Sequence, residues 1–151
     1  MKPAIIYKSI HHGNTKIIAE ILANSLEGDL FDLKDVNQDI VREYDLIGFG
    51  SGIYYFRPHK SLRKFVESLD EVKNKKVFTF ITSGDGKPNQ WLNKKLSSKG
   101  FQVLGDYNCK GLDSYGPYKL IGGHNKGHPN EEDFDNARNF AKGLNKYFDV
   151  D

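Results

Sequence analysis

Small polar side chains gather near the start of the chain, between an apolar run at residues 4–7 and a segment with helical apolar spacing at residues 14–26. They are Ser9, His11, His12, Gly13, Asn14 and Thr15. A strand that turns directly into a helix aims unpaired backbone N–H groups at one point, where the helix dipole adds positive potential. The hydroxyl groups of Ser9 and Thr15 can add hydrogen bonds. The pattern therefore predicts a loop that holds a phosphate group without needing a lysine.

Other phosphate and phosphoryl motifs do not fit this segment. A Walker A loop requires an earlier glycine and a Gly-Lys-Ser/Thr ending, and a dinucleotide loop requires Gly-x-Gly-x-x-Gly. Neither pattern is present after the first apolar run. A response-regulator receiver would require an acidic pair where Lys8 and Ser9 stand.

A second loop follows the apolar run at residues 46–50 and carries three consecutive aromatic residues. Its residues are Ser51, Gly52, Ile53, Tyr54, Tyr55, Phe56, Arg57, Pro58 and His59. Aromatic side chains can cover a flat ring, and such stacking contributes about 0.5–1.5 kcal/mol beyond burial. Glycine permits close approach of the backbone to a ring edge. The alternative interpretation is that the three aromatic side chains simply pack beneath the following helix.

A third loop follows the clearest strand pattern, at residues 77–81. Its residues are Thr82, Ser83, Gly84, Asp85, Gly86, Lys87, Pro88 and Asn89. The glycines fit a tight turn, and most such turns have no further role. The loop is a stronger candidate for the binding site because it follows a strand that should end beside the first two loops.

These loops resemble those of the flavodoxin family, which binds flavin mononucleotide (FMN). Gly13-Asn14-Thr15 matches the end of the family's hydroxyl-rich phosphate loop, and Ser9 matches the serine that opens it. Two histidines stand where the family usually has threonine, and the loop is one residue longer than the commonest form. We expect at least one of these histidines to contribute to FMN affinity; exposure on the loop rim is the alternative.

The resemblance also implies roles for the other two loops. The Gly52–Ile53 peptide would face the flavin N5 position, and Tyr54 or Tyr55 would stack on the ring. The third loop would supply backbone donors to the ring carbonyl oxygens. The predicted cofactor-binding residues are Ser9, His11, His12, Gly13, Asn14, Thr15, Ser51, Gly52, Ile53, Tyr54, Tyr55, Phe56, Thr82, Ser83, Gly84, Asp85 and Gly86.

Alternating strand and helix patterns must position these loops. Strands are predicted at residues 4–7, 30–33, 46–50, 77–81 and 101–109, and helices at residues 14–26, 61–69 and 90–96. Gly28 is the predicted stop of the first helix, and Asn130 with Asp133 caps a final helix. The pattern predicts one α/β domain over residues 1–151. By resemblance it is a flavodoxin-like, doubly wound three-layer sandwich whose five parallel strands run in the order 2-1-3-4-5.

Composition excludes several classes of protein. The formal net charge of +2 is too small to indicate a nucleic-acid-binding protein, and no apolar stretch approaches the roughly 20 residues of a membrane span. The single cysteine, Cys109, excludes an internal disulfide and is expected to be a small buried hydrophobe. No signal peptide is recognisable, so a cytoplasmic protein is expected.

The segment at residues 110–130 is long and irregular. It is either a lid near the ligand or an ordinary connection. His124 and His128 lie four residues apart in it, but no third metal ligand stands nearby in sequence, so no metal site is predicted.

Three functions are compatible with these features. The preferred one is an electron carrier, which shuttles electrons between protein partners through bound FMN and has no catalytic residue. The second is an FMN-dependent oxidoreductase of the quinone, NAD(P)H or protoporphyrinogen-oxidising type, and the third is an interaction domain without flavin. Flavodoxins are usually acidic and this chain is not, so a carrier of this kind should have a less negative potential for its second one-electron step.

Overall fold

The strands and helices alternate along the chain as the sequence predicts. The computed structural model describes residues 1–10, 13–111 and 127–148. Its strands are β1 Pro3–Lys8, β2 Asp29–Asp32, β3 Leu46–Tyr54, β4 Arg57–Pro58, β5 Lys76–Ser83 and β6 Gln102–Lys110. Its helices are α1 Asn14–Leu26, α2 Ile40–Glu43, α3 Lys60–Ser68, α4 Gln90–Ser98 and α5 Glu131–Leu144.

Five of the strands form a parallel sheet in the order β2-β1-β3-β5-β6. Counted without the short β4, this is the predicted order 2-1-3-4-5, and the predicted α/β fold is confirmed. β4 lies off this path and pairs with the end of β3 in antiparallel fashion. Neither this small hairpin nor the single-turn helix α2 was predicted from the sequence.

The sheet is covered on both faces, so its strands are buried and rich in apolar residues. On one face Ile6, Phe49 and Leu62 belong to a core cluster that α3 and α4 cover. On the other face Ile5 and Phe78 belong to the cluster under α1 and α5. The alternation of Ile5 and Ile6 between the clusters is the period-two pattern of a β-strand.

Two glycines of β3 make room for aromatic rings of the neighbouring strand. A Cβ on Gly48 would lie 2.3 Å from the ring of Phe78, and one on Gly50 would lie 2.0 Å from the ring of Phe80. Both rings are fully buried. The apolar run of β3 is therefore interrupted by glycine for packing, since no other side chain fits beneath these rings.

The ends of two helices show how local sequence fixes the fold. The left-handed residue that ends α1 is Glu27, with φ of 54°, and not the predicted Gly28. Gly28 serves close packing instead, because a Cβ there would lie 2.9 Å from the carbonyl oxygen of Pro3. At the start of α5, Asn130 and Asp133 form the predicted capping box.

In the described part of the chain, no helix is both long and apolar enough to cross a membrane.

Candidate functional site

The carboxyl ends of the central strands bring the predicted loops together. In the parallel ladders Lys8 pairs with Ser51, and Gly52 pairs with Thr82. Because parallel strands end at the same edge of a sheet, the segments that follow β1, β3 and β5 are neighbours there. This is the point at which the strand order reverses beside β1, where open α/β sheets bind their ligands.

A fourth segment, which follows β6, reaches the same place. Ser83 pairs with Lys110 in the ladder, and the backbone N–H of Gly111 donates to the carbonyl oxygen of Ser83 at 3.0 Å. A Cβ on Gly111 would lie 2.6 Å from the side-chain nitrogen of Asn14. The end of β6 therefore packs against the first turn of α1.

The first loop presents a helix start that has no side-chain cap. Gly13 is the N-cap residue of α1 with φ of 69°, and a Cβ at this position would meet nothing within 4 Å. The first turn of α1 contains no acidic residue. The left-handed glycine followed by helical backbone directs successive N–H groups into a small concavity that suits an anion. His11 and His12 lie outside the described residues.

The hydroxyl groups of this loop have different surroundings. The Ser9 Oγ atom is buried, and it has no hydrogen-bond partner in the described part of the chain. A buried hydroxyl without a partner costs about 1–3 kcal/mol, which makes it uncommon in a native fold. Thr15 is also buried, but its hydroxyl is 2.8 Å from that of Thr82 and so connects α1 to the end of β5.

The second loop is a tight hairpin between β3 and β4. Tyr55 and Phe56 form its tip, with φ of 52° and 68°, and 78% and 91% of their surfaces are exposed. Aromatic residues rarely adopt positive φ. A hairpin tip with positive φ at two consecutive positions usually has the sequence Asn-Gly instead. These side chains do not pack beneath α3. The backbone is held in a costly conformation that presents two aromatic rings outward, and strain of this kind concentrates at functional sites.

Side chains within the hairpin fix its position on the sheet. The buried Ser51 hydroxyl accepts from the His59 backbone N–H at 2.9 Å and donates to the Gly52 carbonyl oxygen at 2.6 Å. Tyr54 is half-buried and lies edge-on to the His59 ring, with ring centroids 5.4 Å apart. Burial raises the pKa of Tyr54, which a hydrogen bond with the Ile10 backbone partly offsets. Through Tyr54, the second loop therefore touches the first.

His59 is a site residue that was not predicted from the sequence. Its Nδ1 accepts from the Ser61 backbone N–H at 3.0 Å and so caps α3. Burial lowers the pKa of His59, and the nearby charges of Lys8 and Arg63 lower it further. Histidine is not among the preferred N-cap residues, so the sequence carried no signal for this role.

The third loop is a compact turn organised by an acidic side chain. Asp85 accepts from the Lys87 backbone N–H at 2.9 Å and from the Ser83 hydroxyl at 3.1 Å. The Lys87 N–H bond, followed by the Ser83 bond and the Lys87 charge, holds the pKa of Asp85 below its ordinary value. Gly86 has φ of 69°, and its N–H donates to the Ser83 hydroxyl at 3.0 Å. The turn therefore carries an ionised carboxylate on its exposed side.

Asn89 joins the third loop to the second and was also missed. Its amide nitrogen donates to the Phe56 carbonyl oxygen at 2.9 Å, while its amide oxygen accepts from the Trp91 N–H and caps α4. An asparagine before an apolar helical pattern is a recognised N-cap signal, so the capping role was accessible. The contact with Phe56 was not, because 33 positions separate the two residues.

Comparisons with known proteins agree with this geometry. Residues 4–110 match the flavodoxin domain family. An uncharacterised protein of Methanocaldococcus jannaschii is 48% identical over 150 residues, covering 97% of this chain and 99% of that protein.

Two solved structures share the fold at low sequence identity. A flavodoxin from the domain Archaea superimposes with a TM-score of 0.73 at 19% identity, covering 97% of this chain and 98% of that one. A flavodoxin of Streptococcus pneumoniae TIGR4 has a TM-score of 0.73 at 17% identity, covering 97% and 99%.

Proposed function

Since this chain belongs to the flavodoxin family, we propose that it binds FMN where its strand-end loops meet and carries electrons between redox proteins. When bound, FMN supplies reversible electron transfer in one-electron steps. The protein supplies the binding, the orientation and the electrostatic surroundings. As a carrier of this kind it would act in the cytoplasm.

The observation that carries the proposal is the Ser9 hydroxyl. It is buried beside an uncapped helix N-terminus and has no partner among the described residues. A phosphate group at this point would accept from that hydroxyl and from the N–H groups of the first turn of α1. The same phosphate would meet no acidic side chain in that turn. One phosphate group would thus supply both the partner that the Ser9 hydroxyl lacks and an acceptor for the first N–H groups of α1.

The second and third loops suit the flavin ring. The hairpin tip offers the rings of Tyr55 and Phe56, and the half-buried Tyr54 connects that tip to the phosphate loop. The Gly84–Gly86 turn would lie along the ring edge, and it is held in shape by its own hydrogen bonds, among them the Gly86 N–H donating to the Ser83 hydroxyl at 3.0 Å. Asn89 fixes the hairpin to this turn, so the two loops hold one relative position before a ligand arrives.

Asp85 would set part of the electrostatics of the ring. Its carboxylate is held ionised by the Lys87 backbone N–H and the Ser83 hydroxyl. A fixed negative charge beside the ring opposes the arrival of further negative charge, since like charges repel more strongly where solvent is excluded.

Titration with FMN and with riboflavin tests the proposal. Riboflavin has the same ring without the phosphate, so the difference in affinity measures the phosphate loop. Hydrogen bonds to charged groups contribute about 1.5–3 kcal/mol each, so we expect FMN to bind at least about 100-fold more tightly. Quenching of flavin fluorescence gives both dissociation constants. Equal affinities, or no binding of either flavin, would contradict the proposal.

The predicted role of His11 and His12 is tested in the same assay. We expect the His11→Ala/His12→Ala double variant to bind FMN more weakly than the parent, with the difference largest at pH 5, where histidine is protonated. Unchanged affinity of both single variants and the double variant from pH 5 to pH 8 would refute this role.

A further inference from the structure

Basic side chains surround the edge of the sheet where the loops meet. Six of them, here called the basic rim, lie in or beside the loops at this edge: Lys8, Lys34, Arg57, Lys60, Lys64 and Lys87. All are exposed except Lys8, which is half-buried. Nearby acids are fewer: Asp85 binds its own turn, Asp32 accepts from the Lys34 backbone N–H, and Asp35 and Glu67 are exposed beside Lys34 and Lys64.

The cationic groups of the basic rim lack acidic partners. Across residues 1–10, 13–111 and 127–148, the ion pairs within 4.0 Å join Arg42 to Asp39, His128 to Asp133 and Arg138 to Asp135. No member of the basic rim takes part in them. Unpaired charges of one sign at one edge raise the local potential and attract ligands of the opposite sign.

Three members of the basic rim enclose a recess. Lys8, Lys34 and Lys64 line a cavity of about 400 Å³ together with the apolar side chains of Leu33 and Phe65. Lysine side chains from three separate elements border this recess, so their charges raise the positive potential around it and favour an anionic group of a partner. The recess lies beside the second loop, because Ser61, in the first turn of α3, also lines it.

The hairpin tip adds apolar area to the same surface. Phe56 is 91% exposed and is followed directly by the exposed Arg57. Aromatic and arginine side chains are enriched among the residues that dominate protein–protein binding energy. Asn89 donates to the Phe56 carbonyl oxygen at 2.9 Å, a contact that restrains the tip and so lowers the entropic cost of docking.

We propose that the basic rim and the hairpin tip form a docking surface for an acidic redox protein, with carboxylates of that partner seated in the recess. This rests on the proposed function, since the surface borders the proposed flavin site. The whole chain has a formal net charge of +2. Residues 112–126 contain one acidic and two basic residues, Asp113, Lys119 and Lys126, so they do not reverse the sign. The polarity is opposite to that of an acidic flavodoxin.

The test uses a plant-type [2Fe–2S] ferredoxin as the acidic probe and cytochrome c as the basic counterpart. Dissociation constants are measured by calorimetry for the FMN-loaded and the FMN-free protein, at about 20 mM and about 300 mM salt. We expect the ferredoxin to bind more tightly than cytochrome c, and its affinity to fall at the higher salt because attraction between exposed charges is screened. Tighter binding of cytochrome c, or ferredoxin binding that salt leaves unchanged, would overturn the proposal.

Two double variants with the same change in charge distinguish an effect of the basic rim on binding from an effect of the net charge. Lys60→Glu/Lys64→Glu alters the basic rim, and Lys73→Glu/Lys142→Glu alters exposed lysines elsewhere; each shifts the formal net charge from +2 to −2. We expect the first to weaken ferredoxin binding about tenfold, or 1.4 kcal/mol, and the second by less than about twofold. Equal effects of the two variants would overturn the proposal.

The measurements on the FMN-free protein test the docking surface independently of flavin binding. If the protein failed to retain FMN, the proposed function would fail, while the ferredoxin affinities of the FMN-free parent and variants would still decide whether the docking surface exists.

Discussion

At the scale of single residues, Ser9 is the residue whose surroundings most directly support the proposed phosphate site. Its hydroxyl is buried with no partner in the described part of the chain, beside backbone that directs N–H groups outward. Buried polar groups in native proteins are nearly always hydrogen-bonded. A phosphate bound in the predicted loop would therefore supply the hydrogen-bond partner that the Ser9 hydroxyl lacks.

Replacing this serine should have opposite effects on stability and on binding. We expect Ser9→Ala to raise the free energy of unfolding of the FMN-free protein by about 1 kcal/mol, because an unsatisfied hydroxyl is removed. The same change should weaken FMN binding by at least about tenfold, since a hydrogen bond to the phosphate is lost. Chemical denaturation and fluorescence titration measure the two effects.

Ser68→Ala is the matched control for this substitution. The Ser68 hydroxyl donates to the Phe65 carbonyl oxygen on an exposed part of α3, away from the site. It should leave FMN affinity unchanged. A Ser9→Ala variant that binds FMN as tightly as this control would remove Ser9 from the phosphate site.

His59 gives the protein a pH dependence at the residue scale. Its Nδ1 must be unprotonated to accept from Ser61, and burial with the charges of Lys8 and Arg63 lowers its pKa below 6.5. The folded state therefore binds this proton less well than the unfolded state does. The resulting stability is present above pH 6.5 and is lost as the pH falls through the lowered folded-state pKa.

We expect His59→Asn to reduce this loss of stability, because asparagine caps a helix without titrating. The parent should lose more stability than the variant between pH 7.5 and pH 5, as measured by urea denaturation. Identical pH profiles for the two proteins would show that His59 does not control this transition.

At the scale of elements, the β3–β4 hairpin has a strained tip. Its tip places Tyr55 and Phe56 at positive φ, where asparagine and glycine are favoured. Each such residue costs on the order of 1–3 kcal/mol, and the exposed rings recover little of it through packing. Contacts of the two rings with a ligand or a partner would offset the cost of this strained backbone.

The Tyr55→Asn/Phe56→Gly variant should be more stable than the parent and should bind FMN more weakly. We expect the free energy of unfolding to rise by about 1–2 kcal/mol, because both positive φ values become favourable. FMN affinity should fall by at least about fivefold, since stacking contributes about 0.5–1.5 kcal/mol per aromatic ring. Retained affinity together with raised stability would mean that the aromatic rings of this tip do not serve the flavin.

Glycines of β3 offer a test of the sheet packing itself. We expect Gly50→Ala to destabilise the protein by about 3 kcal/mol, because a Cβ would lie 2.0 Å from the buried Phe80 ring. Gly143→Ala is the control, since a methyl group on Gly143 of α5 would meet nothing within 4 Å, and it should stabilise by about 1 kcal/mol. Thermal denaturation compares the two. A neutral Gly50→Ala would contradict the packing described.

The sequence predicted the elements and loops well where local pattern decides structure. Apolar periodicity located the parallel strands, and the capping box of Asn130 and Asp133 was correct. The sequence did not predict features that depend on a long-range contact or on a strained backbone. Tyr55 and Phe56 were predicted to lie in a loop, but the β4 pairing that closes their hairpin was missed, because it depends on contacts of Ser51, His59 and Asn89.

At the scale of the whole molecule, charge separates this chain from acidic flavodoxins. The formal net charge is +2, and cations that form no ion pair among the described residues gather around the proposed flavin site. Positive potential at that edge would favour the addition of electrons to a bound ring and would attract an acidic partner.

This charge should appear in the redox potentials of the loaded protein. We expect the potential of the second one-electron step to be less negative than that of an acidic flavodoxin measured in parallel, because nearby cations offset the negative charge that accumulates on reduction. Potentiometric titration at low and high salt measures it, and the difference between the two proteins should shrink as salt screens the charges. An equally negative value at low salt would refute this expectation.

The most direct test of FMN binding is a visible absorbance spectrum of the purified protein after FMN has been added and the excess removed. We predict retained flavin bands at one FMN per chain, quenched fluorescence, and stepwise reduction through two separable one-electron stages. Loss of the flavin on removal of the excess would contradict the proposed function, and the meeting of the loops would then be a feature of the fold alone.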